Sequence, residues 1–210
     1  MRMRRKKNVE PRLEACADCI ISLNDALKGR WHARTGNRPI SLEIGCGKGQ
    51  FITTLARENP EGFFVAVERA PSVLVLAVEK AKAMGLENLL FLHEDAEKLC
   101  EHFAQDEVST LYLNFSDPWP AKRHAKRRLT HARQLAIYDG FLRHGGAVVF
   151  KTDNVGLFEF SLCSLSQFGY GLEAVNLDLH ASGLPNVQTE YEQLFAAQGM
   201  PIHRLAARRP

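Results

Sequence analysis

No apolar run in these 210 residues approaches the roughly 20 needed to cross a bilayer or the roughly 7–15 of a secretory core. The charged start, Met-Arg-Met-Arg-Arg-Lys-Lys, is followed only by the short stretch Cys19-Ile20-Ile21. Cysteine is scarce and odd in number: Cys16, Cys19, Cys46, Cys100 and Cys163 make a poor disulfide framework. Cys16-Ala-Asp-Cys19 is a lone pair with no second pair and no neighbouring histidine, so no metal is expected. There is no internal repeat and no low-complexity linker. With 45% hydrophobic and 24% charged residues, a disulfide-stapled miniprotein, a disordered chain and a collagen-like repeat are all excluded. These absences predict a cytoplasmic, single-domain protein with no membrane partner.

Charge of one sign is locally missing too. The total is only +3, which taken alone argues against a polyanionic partner. Its distribution argues the opposite. Residues 1–12 hold Arg2, Arg4, Arg5, Lys6, Lys7 and Arg12 against Glu10. Residues 118–133 hold six lysines and arginines and no acid, and residues 204–210 hold Arg204, Arg208 and Arg209. These three segments carry 15 cations and one acid, net +14, while the remainder carries 12 cations and 23 acids, net −11. Basic clusters of this kind suit a nucleic acid.

The hydropathy pattern alternates between periods of two and of 3.6 residues. Helices are predicted over 12–28, 50–58, 71–84, 95–103, 129–142 and 155–168. Strands are predicted over 39–44, 63–67, 89–93, 108–114, 147–151 and 172–177, with a last one in 189–204. The regular alternation implies right-handed crossovers and a mostly parallel sheet covered on both faces. In such sheets ligands bind beyond the carboxyl ends of the strands. Four acids fall there: Glu43, Glu68, Asp95 and Asp117.

Gly45-Cys-Gly47-Lys-Gly49 follows the first of these strands and opens a helix, as a ligand-approaching turn does. Lys48 does not make it a phosphate loop, because Gly-x-x-x-x-Gly-Lys-Ser/Thr is absent. Glu68, about 20 residues on, suits a pair of ribose hydroxyls. Asp95 suits an adenine edge or a helix cap. Glu43 and Asp117 would repel a pyrophosphate. S-adenosyl-L-methionine, with an ammonium and a cationic sulfonium, is the better match to an acidic pocket.

The most specific stretch is Asn114-Phe-Ser-Asp117-Pro118-Trp119-Pro120, a stiff loop that pins Asp117 at a strand end. Lys122, Arg123, His124, Lys126, Arg127 and Arg128 follow at once. A reactive strand end beside an acid-free basic stretch suits methylation of a nucleic-acid base, with phosphate contacts positioning the polymer.

At this point the chain resembles the bacterial tRNA (guanine-N7)-methyltransferases, which make 7-methylguanosine in the tRNA variable loop, usually at position 46. The likeness spans the whole length. It rests on Leu42-Glu-Ile-Gly-Cys-Gly-Lys-Gly-Gln-Phe51, Tyr112-Leu-Asn-Phe-Ser-Asp-Pro-Trp-Pro120, Arg123-His-Ala-Lys-Arg-Arg-Leu129, Phe150-Lys-Thr-Asp-Asn154 and Thr189-Glu-Tyr-Glu192. The resemblance implies the class I S-adenosylmethionine-dependent methyltransferase fold: α/β, Rossmann-like, a mostly parallel seven-stranded sheet with helices on both faces. It implies one methyltransferase domain over 1–210 with residues 1–12 as a basic arm, acting as a monomer or homodimer. It also implies cofactor contacts at Glu43, Glu68, Asp95 and Asp117, with the glycines 45, 47 and 49 in the cofactor turn and Asp117 at the catalytic centre. The tRNA contacts fall at Arg123, His124, Lys126, Arg127 and Arg128. Substrate contacts fall at Asp153 and at Thr189, Glu190, Tyr191 and Glu192. Many family members carry a lysine directly after Asp-Pro-Trp-Pro; Ala121 stands there, and Lys122 is the candidate to replace it.

Guanine N7 has a free lone pair, so attack needs alignment rather than a base. Asp117 is expected to orient guanine or cofactor and to stabilise the positive charge that moves to the ring. Asp153 is a second candidate for the guanine Watson–Crick edge. Two other classes stay open on the residues alone. An exocyclic-amine methyltransferase would carry Asp/Asn-Pro-Pro-aromatic in place of Asp-Pro-Trp-Pro, and an RNA-binding protein could keep the fold without catalysis.

Overall fold

The computed structural model describes residues 8–22 and 26–210. Helix α1 (Val9–Glu14), a 3-10 turn at Ala17–Cys19 and α2 (Trp31–Thr35) precede the sheet. Then follow β1 (Ile40–Ile44), α3 (Gln50–Glu58), β2 (Phe63–Val67), α4 (Pro71–Ala83), β3 (Leu89–Leu92) and a 3-10 turn at Ala96–Lys98. Next come α5 (Leu99–His102), β4 (Val108–Asn114), a 3-10 turn at Lys122–Arg127, α6 (Ala132–Tyr138) and β5 (Leu142–Thr152). The chain ends with α7 (Val155–Gln167), β6 (Gly171–Asn176), α8 (Glu190–Ala196) and β7 (His203–Arg208).

The seven strands lie in the order β3-β2-β1-β4-β5-β7-β6. The five from β3 to β5 are parallel, and β7 runs antiparallel to both of its neighbours. Strand order reverses between β1 and β4, which opens a crevice at their carboxyl ends. Strand β2, Phe-Phe-Val-Ala-Val, is buried at every position, as a strand covered on both faces must be. Its Phe63, Val65 and Val67 join the core under α5, α6 and α7, while Phe64 and Ala66 join the core under α3 and α4. Helices α3 and α4 approach closely at Gly49, where a Cβ would stand 2.7 Å from that of Ala77. Gly49 also adopts φ +80°, so glycine is required there on both counts.

Several expected elements differ. The helix predicted over 12–28 gives way to α1, the turn at Ala17–Cys19 and an extended Ile20, which bridges Phe91. The Ile21 N–H donates to the Phe91 carbonyl at 2.8 Å. β3 is an edge strand, and its open backbone recruits this segment as a cover. Residues 23–25 of that prediction lie outside the described residues. The helix predicted over 129–142 is confined to Ala132–Tyr138, because Leu142 pairs with Val108 and begins a longer β5. The stretch 95–103 divides into a 3-10 turn and α5. The stretch 189–204, predicted to hold the last strand, instead begins with α8. Thr189-Glu-Tyr-Glu192 is a reciprocal capping box, in which the Thr189 hydroxyl accepts from the Glu192 N–H at 2.9 Å. The strand that completes the sheet starts only at His203.

Candidate active site

The crevice beyond β1 and β4 is a cleft of about 630 Å³, a size suited to a small-molecule ligand. Asn114, Phe115, Ser116, Asp117 and Trp119 line it from β4, and Ile44 and Gly45 from β1. Val67, Glu68 and Arg69 contribute from β2, Glu94 to Glu97 from beyond β3, and Arg127, Leu129 and Gln134 from the far wall. The sheet order thus carries three of the four strand-end acids, Glu68, Asp95 and Asp117, to one surface.

The glycine turn is held from below. The Gly45 and Cys46 N–H groups donate to the Val67 carbonyl at 2.8 and 3.1 Å. Gly45 adopts φ +78° with open space where a Cβ would be, so backbone is presented directly to the cleft. Glu68 braces the same turn: its carboxylate accepts from the Gly47 N–H at 3.2 Å and the Ala70 N–H at 2.9 Å. Asp95 caps its 3-10 turn by accepting from the Glu97 N–H at 3.1 Å while still lining the cleft. Glu94, unmarked in the sequence reading, lines it too. Burial pushes its carboxyl up, but the Asp95 N–H, Lys98 and His102 outweigh burial and hold it below its ordinary range.

Glu43 lies under the cleft, 1% exposed. The Asn114 amide donates to its Oε1 at 2.8 Å. Its Oε2, the Asn114 Oδ1 and the Ser116 Oγ are buried with no hydrogen-bond partner among the described residues. Such orphaned acceptors are costly unless a ligand supplies donors. Together with Glu68, Glu94, Asp95 and Asp117, they make the strand ends rich in acceptors and negative charge. That set of acceptors fits S-adenosylmethionine, whose ammonium and sulfonium are cationic, and it does not fit a pyrophosphate.

Burial is also the main reason the Glu43 carboxyl is pushed up to about 7; the Asn114 amide and Lys151 oppose it, and Glu190 and Glu68 reinforce it. The folded protein therefore holds a proton that the unfolded chain has released, and the stability tied to that proton is lost as pH rises from about 4 through about 7. Glu43→Gln stays neutral throughout. Its stability relative to wild type is expected to grow by about 2–3 kcal/mol between roughly pH 5 and pH 8. Urea titrations of the unliganded proteins measure this, and a difference that does not move with pH contradicts it.

The loop after β4 is strained and then clamped. Phe115 and Trp119 take φ +50° and +41°, costly for large side chains. Arg128 donates from Nε and Nη2 to the Pro118 and Trp119 carbonyls at 3.0 and 3.1 Å, and its guanidinium lies 4.4 Å from the Phe160 ring centre. Asp117 is exposed at the rim with no hydrogen bond or ion pair among the described residues. Arg127 stacks over Trp119 at 4.8 Å, and His124 meets the same ring edge-on at 5.8 Å. Lys122, Arg123 and Lys126 are exposed beside them. Lys122 does not line the cleft.

The structure distributes the expected substrate contacts unevenly. Asp153 is half-buried just past β5 and acts on Tyr191, whose hydroxyl is pushed up by burial and by the Asp153 charge. The Tyr191 ring packs at 5.2 Å from Phe115. Glu190 instead pairs with Lys80 at 2.8 Å, and Thr189 is the helix cap. Glu192, the last residue of the Thr189–Glu192 motif, is wholly buried. It accepts from Lys151 at 2.7 Å, is approached by His180 at 3.1 Å and bonds Asn186. Lys151, missed from sequence, spends its three protons on Glu192, Asn186 and the Val187 carbonyl. Two of the three C-terminal cations are also spent. Arg208 pairs with Glu173, and Arg209, 8% exposed, contacts Asp139 at 2.9 Å. Arg12 pairs with Glu79 at 2.6 Å. Free positive charge among the described basic segments therefore centres on 122–127.

Among the described residues, no helix is long and apolar enough to cross a membrane, and no group of three or more His, Cys, Asp or Glu is placed to hold a metal.

Sheet order and strand-end cleft define a class I methyltransferase fold. Solved structures agree: the 16S rRNA methyltransferase KamB superposes with a TM-score of 0.65 at 18% identity, over 86% of this chain and 93% of that one. An antibiotic-related methyltransferase matches with a TM-score of 0.65 at 15% identity, over 90% and 94%. A family model described as "Putative methyltransferase" matches residues 37–205. The tRNA (guanine-N(7)-)-methyltransferase of Geobacillus thermodenitrificans is 48% identical over 100% of this chain and 98% of its own. That of Bacillus subtilis is 48% identical over 97% of each. The chain belongs to the bacterial tRNA (guanine-N7)-methyltransferase family.

Proposed function

We propose that this protein, acting as a single cytoplasmic domain, monomeric or homodimeric, methylates N7 of guanine in the tRNA variable loop, at position 46. The observation that carries the reading is the continuity of two surfaces. A cleft of unpartnered acceptors opens directly beside the exposed cations of 122–127, with Asp117 free on the rim between them. Family membership supports the same reading.

When bound, S-adenosylmethionine supplies an electrophilic methyl carbon on a sulfonium, and the guanine N7 lone pair is the nucleophile. Gly45, Gly47 and Gly49 form the turn that would hold this donor, Glu68 would take its ribose hydroxyls, and Asp95 would border its purine. Glu43, with Asn114, sits below the cationic end. Asp117 stabilises positive charge as it passes to the guanine ring. Asp153 accepts from the Watson–Crick edge, and Phe115 and Tyr191 offer aromatic surface to the base. Arg123, His124, Lys126 and Arg127 meet phosphates, with Lys122 beside them. The test is methyl transfer to tRNA lacking 7-methylguanosine, followed by nucleoside identification. 7-Methylguanosine is the expected product; any other methylated nucleoside, or none, overturns the reading.

Arg127 and Arg128 are expected to behave differently despite being adjacent. Arg127→Ala removes a phosphate contact, so the slope of log tRNA affinity against log salt flattens by about one. Arg128→Ala leaves that slope unchanged and lowers turnover, because its guanidinium holds the Pro118 and Trp119 carbonyls. Filter binding at several salt concentrations with parallel kinetics separates the two, and equal slopes for both variants contradict it.

A further inference from the structure

Gln134 is unassigned by anything above. It sits on the buried face of α6, 4% exposed, yet it lines the cleft, and its Oε1 is buried with no partner among the described residues. A polar side chain in this position is unfavourable for folding unless something else completes it. Its place in the cleft is set by α6, which packs against the turn at Ala96–Lys98 and against α5. Arg133 bridges to Glu97 at 3.2 Å, and the Cys100 thiol donates to the Ile137 carbonyl at 3.3 Å. Gln134 therefore lines the same cleft as Asp95 and Ala96, on the helix that packs against their turn, and Tyr138, one helical turn further on, feels the Asp95 charge.

We infer that Gln134 is a specificity-determining residue for the purine of the methyl donor, its amide reading the adenine 6-amino edge; this rests on the methyl-transfer reading. A carboxamide presents an acceptor and a donor side by side, and adenine presents an amino donor flanked by a ring-nitrogen acceptor. The two match as a bidentate pair, the same match by which glutamine reads adenine in nucleic acids. Leu129 supplies an apolar contact in that cleft, and Asp95 a second acceptor. The amide left incomplete in the unliganded protein is then satisfied on binding, so the cost it carries in folding becomes selectivity for the nucleobase.

The experiment measures calorimetric binding of S-adenosylhomocysteine and of its 6-deamino purine counterpart to wild type, Gln134→Leu and the near-isosteric Gln134→Met. Unliganded Tm is read in parallel. Wild type is expected to prefer the adenine ligand by about tenfold, the value of one well-made hydrogen bond. Both variants are expected to lose most of that preference through weaker binding of the adenine ligand alone. Their unliganded Tm is expected to be unchanged or raised, because an orphaned polar atom has been removed. Undiminished preference in both variants overturns the assignment, as does an equal loss for both ligands or a lowered Tm with unaltered binding. A wild type that binds neither ligand overturns the methyl-transfer reading itself.

Discussion

Asp117→Asn lowers kcat by about 10²–10³, the usual consequence of removing one preorganised charge from the reacting centre. The expectation is sharp because the substitution preserves shape. The Asp117 carboxylate makes no hydrogen bond or ion pair among the described residues, so nothing in the fold depends on its charge. The loop around it is held independently, by Arg128 on the Pro118 and Trp119 carbonyls and by the Phe115 N–H donating to the Lys151 carbonyl at 2.8 Å. Tm is therefore expected to stay within a degree or two of wild type. Affinity for S-adenosylhomocysteine should change far less than kcat, since Glu43, Glu68 and Asp95 are untouched. Single-turnover methyl transfer to unmodified tRNA, with ligand binding measured alongside, tests this. Full activity with unchanged cofactor affinity would remove Asp117 from the chemistry.

The second large effect concerns stability. Glu192→Gln leaves Lys151 buried, 2% exposed, with its charge no longer neutralised. Breaking one side of such a pair costs about 3–5 kcal/mol. In a domain of this size that lowers Tm by roughly 10 °C. Burial already pushes the Lys151 ammonium down, against the pull of Glu192 and Glu43, so the lysine is poorly placed to lose its partner. The double variant Lys151→Met, Glu192→Leu removes both charges and is expected to recover at least half of the loss. Differential scanning calorimetry of the three proteins measures it; a single variant within about 1 kcal/mol of wild type would show that the pair contributes little. The same break releases the start of α8. Tyr191 then loses its station against Phe115, and guanine affinity should fall along with stability.

The surroundings of these two residues differ in how far a local string states them. The loop that carries Asp117 is legible because it is local: two prolines and a tryptophan stiffen the backbone just after β4, and Asp117 is exposed there. Strands β1, β2 and β4 and helix α3 were legible for the same reason, since a run such as Phe-Phe-Val-Ala-Val states its burial by itself. The surroundings of Glu192 are not legible in the same way, because its partner lies 41 residues away on β5. The Thr-x-x-Glu capping signature in Thr189–Glu192 was the signal that could have identified α8. Gln134 carried a signal as well: it lies one residue before Leu135 and four before Tyr138, both fully buried, and a glutamine on such a face asks for a partner. Lys151 carried one too, as a lysine closing the apolar run Ala147-Val-Val-Phe150, whereas Glu94 offered none, because it interrupts no local pattern.

The sequence by itself determined the alternation of elements, the glycine turn, the rigid aspartate loop, the acid-free basic stretch and the family. Each follows from the side chains and backbone preferences of a few consecutive residues. Only the tertiary structure decided which charges are free. The three basic segments look equivalent as strings, yet among the described residues β-sheet register pairs Arg208 with Glu173, packing carries Arg209 to Asp139, and α4 brings Glu79 to Arg12, while Lys122, Arg123 and Lys126 stay exposed. Sheet order likewise sets Asn114 against Glu43, 71 residues apart, and leaves their outer oxygens without partners among the described residues. An ion pair depends on distances of a few ångströms between residues far apart in the chain, and strand order and packing set those distances.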